Sequence, residues 1–263
     1  MSITDGELAI AAAEAGAVVV RERFGESLAR VDKGDGDFAT AADIEAEAAI
    51  LAVLGAARPD DYVIGEESGR SGTGASGRTW LVDPLCGTLN FAARTSLVSV
   101  NVALKDGSAA AIADPFAGEV FWTAGAGAFV RRAGTDEKLT PEVGSRLVDV
   151  NLDPPFPNDP QFRAVALLAD REFVATYRPR VVSTALAVAW TAAGRRAAYL
   201  SDGHQTYTVH SAAGIALCRA AGCVVTNLQG HELHSGVGGI LVAADPDTHA
   251  DLLRLIGKQF GPR

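Results

Sequence analysis

Cysteine and basic residues are scarce in this sequence, and their scarcity excludes several classes of protein. The 263 residues include three cysteines, Cys86, Cys218 and Cys223. Three cysteines are too few for a disulfide framework, which indicates a reducing, cytoplasmic setting. The 23 Lys and Arg residues are outnumbered by 32 Asp and Glu residues, and the formal net charge is -9. Nucleic acids and anionic membranes bind basic surfaces, so we expect neither as a partner.

Long hydrophobic runs and common short metal-binding motifs are missing too. The longest apolar stretch near the beginning, residues 8–20, is interrupted by Glu14 and Gly16 and follows no basic leader. That pattern is typical of an ordinary helix, and not of a signal peptide or a membrane span. Neither a CxxC pair nor an HExxH motif occurs. With 48% hydrophobic residues the chain can still bury a sizeable core, and its length fits one or two closely joined domains.

Helical and strand-like patterns alternate along the chain. Apolar spacing predicts a helix over Asp5–Phe24 and another over Asp43–Leu54, for which Thr40 or Asp43 is the N-cap. Between Ser96 and Val130, strand-like segments separated by Asp-Gly, Asp-Pro and Gly turns favour an antiparallel meander. Further helices are expected at 161–177, 185–193 and 211–221, and further strands at 62–64, 80–82, 181–182, 197–200, 224–225 and 240–242.

Polar segments interrupt these elements. Residues 70–78 are rich in Gly and Ser, which predicts a flexible loop, and the strand at 80–82 is expected to stop at Asp83 and Pro84. Residues 135–159 are polar and end in a Pro-rich stretch, so we expect the join between two lobes there. The predicted lobes are 1–140, an α+β lobe with the acidic motifs, and 141–263, an α/β lobe that completes the cleft of one compact unit.

Three short segments place acidic residues at strand ends or turns. They are Asp37-x-x-Thr40-x-x-Asp43, the GEES tetrapeptide at 65–68 and DPLCGTLNF at 83–91. Each segment alone has an ordinary structural interpretation, as a helix-start acid, a solvated turn or the end of a strand. Clustered carboxylates are also the ligands that Mg²⁺ prefers, and a Gly-Thr turn that opens a helix can present N–H groups to a phosphate.

Together and in this order, the three segments resemble the motifs of the inositol monophosphatase family, magnesium-dependent phosphomonoesterases that include relatives of fructose-1,6-bisphosphatase. Residues 37–43 resemble the family pattern D-x-V-T-x-x-D, residues 65–68 match G-E-E-S, and residues 83–91 match D-P-[LI]-D-G-T-x-N-F with one exception. The resemblance extends from about Glu7 to Ala244. It implies a layered αβαβα sandwich of the α+β or α/β class, a homodimer, and carboxylates that hold two or three Mg²⁺ ions.

The matched motifs imply a first metal site and its surroundings. By resemblance, Glu66, Asp83 and the Leu85 carbonyl would be its ligands, and Asp43 and Lys33 would lie in its outer shell. The other implied roles are orientation of the attacking water by Glu67 and Thr88, phosphate contacts from Gly87 and Thr88, and substrate contacts from Ser183, Asp202 and Tyr207.

Two residues depart from the family pattern. Cys86 stands where the family has the second aspartate of D-P-L-D-G-T, and His210 stands where it has the aspartate of W-D-x-A-A-G. Thiol and imidazole ligands suit Zn²⁺ or Fe²⁺ better than Mg²⁺. In the family's fold the two side chains would meet as a nucleophile–base pair, and a helix N-terminus would favour the Cys86 thiolate. Against this, a cysteine on a tight turn is often an inert small hydrophobe.

Three functions are compatible with these departures. The first is a repurposed enzyme in which Cys86 and His210, with Glu67 and Thr88, catalyse acyl transfer, hydrolysis or a cyclase or lyase reaction on a small metabolite. The second is a metal-dependent phosphomonoesterase for inositol phosphates or sugar phosphates with an altered metal site. The third is a non-catalytic binding protein. These functions imply a small substrate that is phosphorylated or acylated. The expected cofactor is one divalent cation at Glu66 and Asp83, either Mg²⁺ or a softer metal such as Zn²⁺, and the alternative is that no cofactor binds.

The other histidines and cysteines have ordinary interpretations. Polar, Gly-containing or terminal contexts predict a surface position for His204, His231, His234 and His249. Cys218 and Cys223 lie in an apolar helix end, which predicts that both belong to the core.

Overall fold

The computed structural model describes residues 3–26, 30–34, 37–142, 144–152, 164–202, 208–233 and 238–260. The chain divides into two compact units. The first consists of Met1–Lys138, Thr184–Leu186 and Val209–Leu217, so it takes up two segments from the second half of the sequence. The second consists of Leu139–Ser183, Ala187–Thr208 and Cys218–Arg263.

Helices and strands follow the expected alternation. The helices are α1 (Asp5–Arg23), α2 (Ala41–Ala57), α3 (Thr88–Ala92), α4 (Ala164–Leu167), α5 (Arg171–Thr176), α6 (Leu186–Ala192), α7 (Ala212–Ala221) and α8 (Pro246–Gly257), and a 3-10 turn follows at Lys258–Phe260. The strands are β1 (Arg30–Gly34), β2 (Asp37–Thr40), β3 (Tyr62–Gly65), β4 (Gly69–Gly72), β5 (Thr79–Cys86), β6 (Ser99–Leu104), β7 (Ala110–Asp114), β8 (Glu119–Thr123), β9 (Ala128–Arg132), β10 (Thr135–Lys138), β11 (Leu147–Asn151), β12 (Arg178–Val181), β13 (Ala198–Ser201), β14 (Val224–Thr226) and β15 (Ile240–Ala243).

An eight-stranded sheet forms the centre of the first unit, in the order β10-β9-β8-β7-β6-β5-β3-β4. Neighbouring strands from β5 through β10 pair antiparallel, which confirms the predicted meander, and β3 pairs in parallel with β5. Helices α1 and α2 pack on each other and on this sheet, and their apolar side chains join those of β5, β6 and β7 in one core. Gly16 lets α1 lie close to α2 and β6, because a Cβ there would lie 2.8 Å from Ile50 and 2.9 Å from Val100.

Two sequence predictions near this sheet are wrong. Strand β5 does not stop at Asp83 but continues to Cys86, because the register with β6 shifts around Pro84 and pairing then resumes. Part of the segment predicted as a flexible loop forms β4, which pairs antiparallel with β3. The Arg70 guanidinium of β4 lies 3.6 Å from the centre of the Tyr62 ring of β3, which adds a cation–π contact between the two strands.

The start of α2 is set by local hydrogen bonds. Thr40 is the N-cap, and its hydroxyl accepts the N–H of Ala42. Asp43 completes a capping box, because its carboxylate accepts the N–H of Thr40 at 2.8 Å and the Thr40 hydroxyl at 2.6 Å. The cap turns Asp43 into the interior, where it is fully buried.

The second unit contains a mixed five-stranded sheet in the order β12-β11-β13-β15-β14. Strands β10 and β11 occupy parts of the segment that was expected to be a polar join, and α8 was not predicted at all. The helix expected at 161–177 is interrupted, because the Asp170 carboxylate caps a new helix by accepting the N–H groups of Glu172 and Phe173.

The remaining histidines and cysteines can now be placed. Cys218 and Cys223 are buried free thiols, as predicted. The surface position predicted for His249 is wrong, since the side chain is buried and its Nε2 lies 2.8 Å from the Thr226 hydroxyl. His231 is exposed, as expected. His204 and His234 lie outside the described residues.

Candidate functional site

Asp83, like Asp43, is fully buried. It lies on β5 opposite Asn101 of β6. Its Oδ1 accepts the N–H of Leu85 at 3.2 Å, and its Oδ2 accepts the side-chain amide of Asn101 at 3.3 Å. Burial would raise the pKa of Asp83, but its hydrogen bond to His210 and the charge of that ring hold the pKa below its usual value.

Glu66 and Glu67 are positioned by a buried acid on α2. The Glu47 carboxylate accepts the N–H groups of Glu67 at 2.9 Å and Ser68 at 2.7 Å, and so fixes the turn that follows β3. A Cβ at Gly65 would lie 2.5 Å from that carboxylate, which explains why glycine precedes the two glutamates. Helix α2 therefore carries Asp43 and, through Glu47, fixes the position of the turn that contains Glu66.

Lys33 on β1 forms ion pairs with both Glu66 and Glu67. Its ammonium lies 2.9 Å from Glu66 Oε1 and 2.7 Å from Glu67 Oε1. Burial and the charge of Asp83 raise the pKa of Glu66 to about 8, although His210 and Lys33 act in the opposite direction. Burial also raises the pKa of Glu67, against the hydrogen bond from Lys33.

His210 lies beside the carboxylates of Asp83 and Glu66. Its Nδ1 lies 2.9 Å from Asp83 Oδ2 and 3.9 Å from Glu66 Oε2, and 52% of its side chain is exposed. Burial would lower the pKa of His210, but the hydrogen bond to Asp83 and the charges of Asp83 and Glu66 raise it to about 9. Without a metal the ring is therefore an imidazolium at neutral pH and donates to Asp83.

Glu66, Asp83 and His210 together form a group that fits one metal ion. One ligand atom from each side chain lies within 4.8 Å of the other two. The carboxylate oxygens suit Mg²⁺ and Mn²⁺, whereas the imidazole nitrogen suits Zn²⁺ and similar ions. The exposed side of His210 leaves room for water or substrate at such an ion.

The surroundings of Cys86 favour the protonated thiol over the thiolate. Its sulfur accepts the N–H of Ala185 at 3.3 Å, and its thiol lies within hydrogen-bond distance of Asp83. Burial and the negative charge of Asp83 raise the pKa of Cys86 well above its ordinary value. Both effects disfavour the thiolate that the N-terminus of the short helix α3 was expected to stabilise. Both Cys86 and His210 contact Asp83, and a direct nucleophile–base pair stays a prediction.

Thr88 links the outer acid to the turn after β5. Its hydroxyl can donate to Asp43 Oδ1 at 3.0 Å or to the Leu85 carbonyl at 3.2 Å. Gly87 adopts the left-handed backbone, with a φ of 104°, and precedes the first residue of α3, as the predicted Gly-Thr turn requires. Asp43 is close enough to Glu67 for its charge to act on that carboxyl.

Two predicted substrate residues lie in the second unit. The Ser183 hydroxyl donates to Asn151 Oδ1 at 2.9 Å, and the Asp202 carboxylate accepts the N–H of Ala164. Tyr207 lies outside the described residues.

Sequence reasoning missed Glu47 and Asn101, although both carry recognisable signals. Asn101 is a polar residue between two valines of strand β6, and it is fully buried. Glu47 lies on the same helix as Asp43, four residues later, a spacing that places both on one helix face. A polar residue on a buried face needs a partner, and here the partners are Asp83 and the turn at 65–68.

Comparison with known proteins identifies the family. The model of the inositol monophosphatase family matches residues 4–259. The chain is 32% identical to the inositol-1-monophosphatase of Caulobacter vibrioides over 231 residues, which are 84% of this chain and 88% of that protein. It is 32% identical to the inositol-1-monophosphatase of Mesorhizobium japonicum over 262 residues, 96% of each protein. The extragenic suppressor protein suhB of Bartonella henselae superposes with a TM-score of 0.82 at 27% identity, covering 96% of this chain and 98% of that chain.

These matches confirm the fold class and favour one of the three functions. The structural match confirms a layered α/β sandwich of the inositol monophosphatase and fructose-1,6-bisphosphatase type. The named relatives favour a phosphatase, and neither they nor the surroundings of Cys86 support thiol-based acyl transfer. None of the helices in the described part of the chain has the length and hydropathy needed to cross a bilayer. The chain belongs to the inositol monophosphatase family.

Proposed function

We propose that this protein is a metal-dependent phosphomonoesterase that hydrolyses a small phosphorylated metabolite, an inositol phosphate or a sugar phosphate. The grouping of Glu66, Asp83 and His210 carries the proposal, because three ligand atoms within 4.8 Å of one another can hold one divalent cation. The relatives named inositol-1-monophosphatase support the substrate class. A cation bound there would supply Lewis-acid stabilisation of the phosphoryl oxygens and a lowered pKa for bound water.

Glu67 and Thr88 are suited to handle the attacking water. The hydrogen of the Thr88 hydroxyl points to Asp43 or to the Leu85 carbonyl, so the oxygen presents a lone pair that can accept a hydrogen bond from water. Burial makes Glu67 a stronger base than an ordinary carboxylate, and Lys33 keeps it in place. The water oxygen bonds to phosphorus as its proton passes to Glu67, the ester P–O bond breaks, and the departing alcohol oxygen takes up a proton from solvent water.

Several residues are proposed to bind the substrate. We propose that the amides of Gly87 and Thr88 donate to phosphate oxygens, since a left-handed glycine before a helical turn leaves N–H groups exposed to an anion. Ser183, Asp202 and Tyr207 are proposed to contact the alcohol portion of the substrate. Assembly as a homodimer is a further proposal, supported by the family resemblance alone.

The proposal is tested by phosphate release from inositol-1-phosphate and a panel of sugar phosphates. We expect Asp83→Asn to lower kcat/KM by at least about 100-fold, because it removes a ligand charge and the partner of His210. Cys86→Ser is expected to cost much less, since a protonated thiol is a poor nucleophile. Loss of activity in Cys86→Ser equal to that in Asp83→Asn would favour the thiol-based reaction. No phosphate release from any substrate, with a folded protein and each divalent metal, would favour a non-catalytic binding protein.

A further inference from the structure

We infer that His210 makes this site selective for a single borderline metal ion of the Zn²⁺ or Co²⁺ type, rather than for Mg²⁺. The inference rests on the proposed function in one respect, that Glu66, Asp83 and His210 hold a metal. It does not require that the protein hydrolyses phosphate esters.

The donor set is the first reason for this preference. Glu66 and Asp83 provide carboxylate oxygens, but the third donor is an imidazole nitrogen, with Nδ1 2.9 Å from Asp83 Oδ2 and 3.9 Å from Glu66 Oε2. Mg²⁺ requires a near-octahedral shell of oxygens, whereas three protein ligands of mixed N and O type with one open position are typical of catalytic Zn²⁺ sites. His210 is half exposed, which keeps the open position accessible to solvent.

The groups around this donor set are the second reason. Beside Asp83 lies the Cys86 thiol, and beside Glu66 and Glu67 lies the Lys33 ammonium. A second hard cation would need further carboxylates at these positions, but a thiol and an ammonium group occupy them. The surroundings therefore favour one ion in place of the two or three that the family resemblance implies.

Asp83 is also held as a ligand before any metal arrives. The N–H of Leu85 donates to its Oδ1, and the Asn101 amide donates to its Oδ2. The Ser99 hydroxyl donates in turn to Asn101 Oδ1 at 3.1 Å, which fixes the orientation of that amide. Outer hydrogen bonds of this kind orient ligands, and their removal typically lowers metal affinity about 10–100-fold.

The inference is tested by metal binding without substrate. Metal-stripped full-length protein is titrated with Zn²⁺, Co²⁺ and Mg²⁺ in a calorimeter, and the visible absorption of the Co²⁺ form is recorded. We expect one Zn²⁺ per chain, bound in the presence of excess Mg²⁺. His210→Asp should weaken Zn²⁺ binding by at least about 10-fold, strengthen Mg²⁺ binding and alter the Co²⁺ spectrum, because a nitrogen ligand becomes an oxygen ligand.

His231→Asp is the matched control, since the His231 side chain is exposed. The hydrogen bond described for His231 comes from its backbone N–H, which donates to Asn227 Oδ1. This variant should leave affinity and spectrum unchanged. If His210→Asp fails to fold by circular dichroism, His210→Asn replaces it and should lower Zn²⁺ affinity likewise. Unchanged Zn²⁺ affinity in the folded variants, or two ions per chain, would overturn the inference. Zinc binding as expected, without phosphate release, would count against the proposed phosphatase and leave the metal preference standing.

Discussion

Glu47→Gln is the substitution that tests most sharply how the turn carrying Glu66 is held. The Glu47 side chain is buried, and its two oxygens accept the N–H groups of Glu67 and Ser68. Glutamine keeps the shape and one acceptor oxygen, but its NH₂ group faces the second N–H. One backbone donor then loses its partner away from water.

The size of the effect follows from these two bonds. A hydrogen bond to a charged group contributes about 1.5–3 kcal/mol, and a buried donor left unpaired costs about 1–3 kcal/mol. We therefore expect Glu47→Gln to lower the free energy of unfolding by about 2–3 kcal/mol. Because the turn carries two site glutamates, phosphate release and metal affinity should fall as well.

Urea denaturation of the metal-free protein, with a constant m value, measures the change in unfolding free energy. Glu45→Gln is the matched control, since Glu45 lies on the same helix but makes exposed contacts to Arg23, which contribute at most about 1 kcal/mol. A Glu47→Gln variant within about 0.5 kcal/mol of wild type would refute the reasoning, as would equal losses in the two variants.

Three further predictions concern Gly65, Trp80 and His210. Gly65→Ala should destabilise the protein by about 1–3 kcal/mol in urea, because the added Cβ would lie 2.5 Å from the Glu47 carboxylate; a neutral result would show that the turn moves freely. Trp80→Phe should cost about 1–3 kcal/mol by the same assay, since it removes the indole N–H that Asp61 accepts at 2.8 Å; an unchanged midpoint would contradict this. The metal-free protein should lose stability as pH rises from about 6.5 to about 9, because His210 holds its proton more tightly in the folded state. The raised pKa of Glu66 lowers stability in the same way as pH rises from 4.5 to about 8. Thermal unfolding across this range should show a shallower slope for His210→Gln, and an identical slope would contradict the pairing with Asp83.

Local signals explain what the sequence predicted well. The capping box at Thr40 and Asp43 involves residues three apart, so its pattern is visible in the sequence and sets the start of α2. The turns of the meander are likewise local, and the pairings from β5 through β10 follow their order in the chain. The acidic motifs that lead to Glu66 and Asp83 were recognised by resemblance, and the structure brings these two residues together.

Features that depend on distant partners could not be predicted in this way. Strand β4 pairs with β3, and Arg70 stacks on Tyr62 of that strand, whereas sequence composition alone favoured a loop there. The raised pKa of Cys86 depends chiefly on burial of its thiol, which the packing of the folded chain creates. The role of Glu47 appears only once residues 67 and 68 lie against α2.

Metal dependence of phosphate release tests the central claim most directly. The protein is stripped with a chelator, its hydrolysis of inositol-1-phosphate is measured, and a divalent ion is then added back in increasing amounts. We predict that hydrolysis disappears in the stripped protein, returns as one ion per chain binds, and does not return in Asp83→Asn. Full activity in the stripped protein, or its restoration in Asp83→Asn, would contradict a metal-dependent phosphomonoesterase built on Glu66, Asp83 and His210.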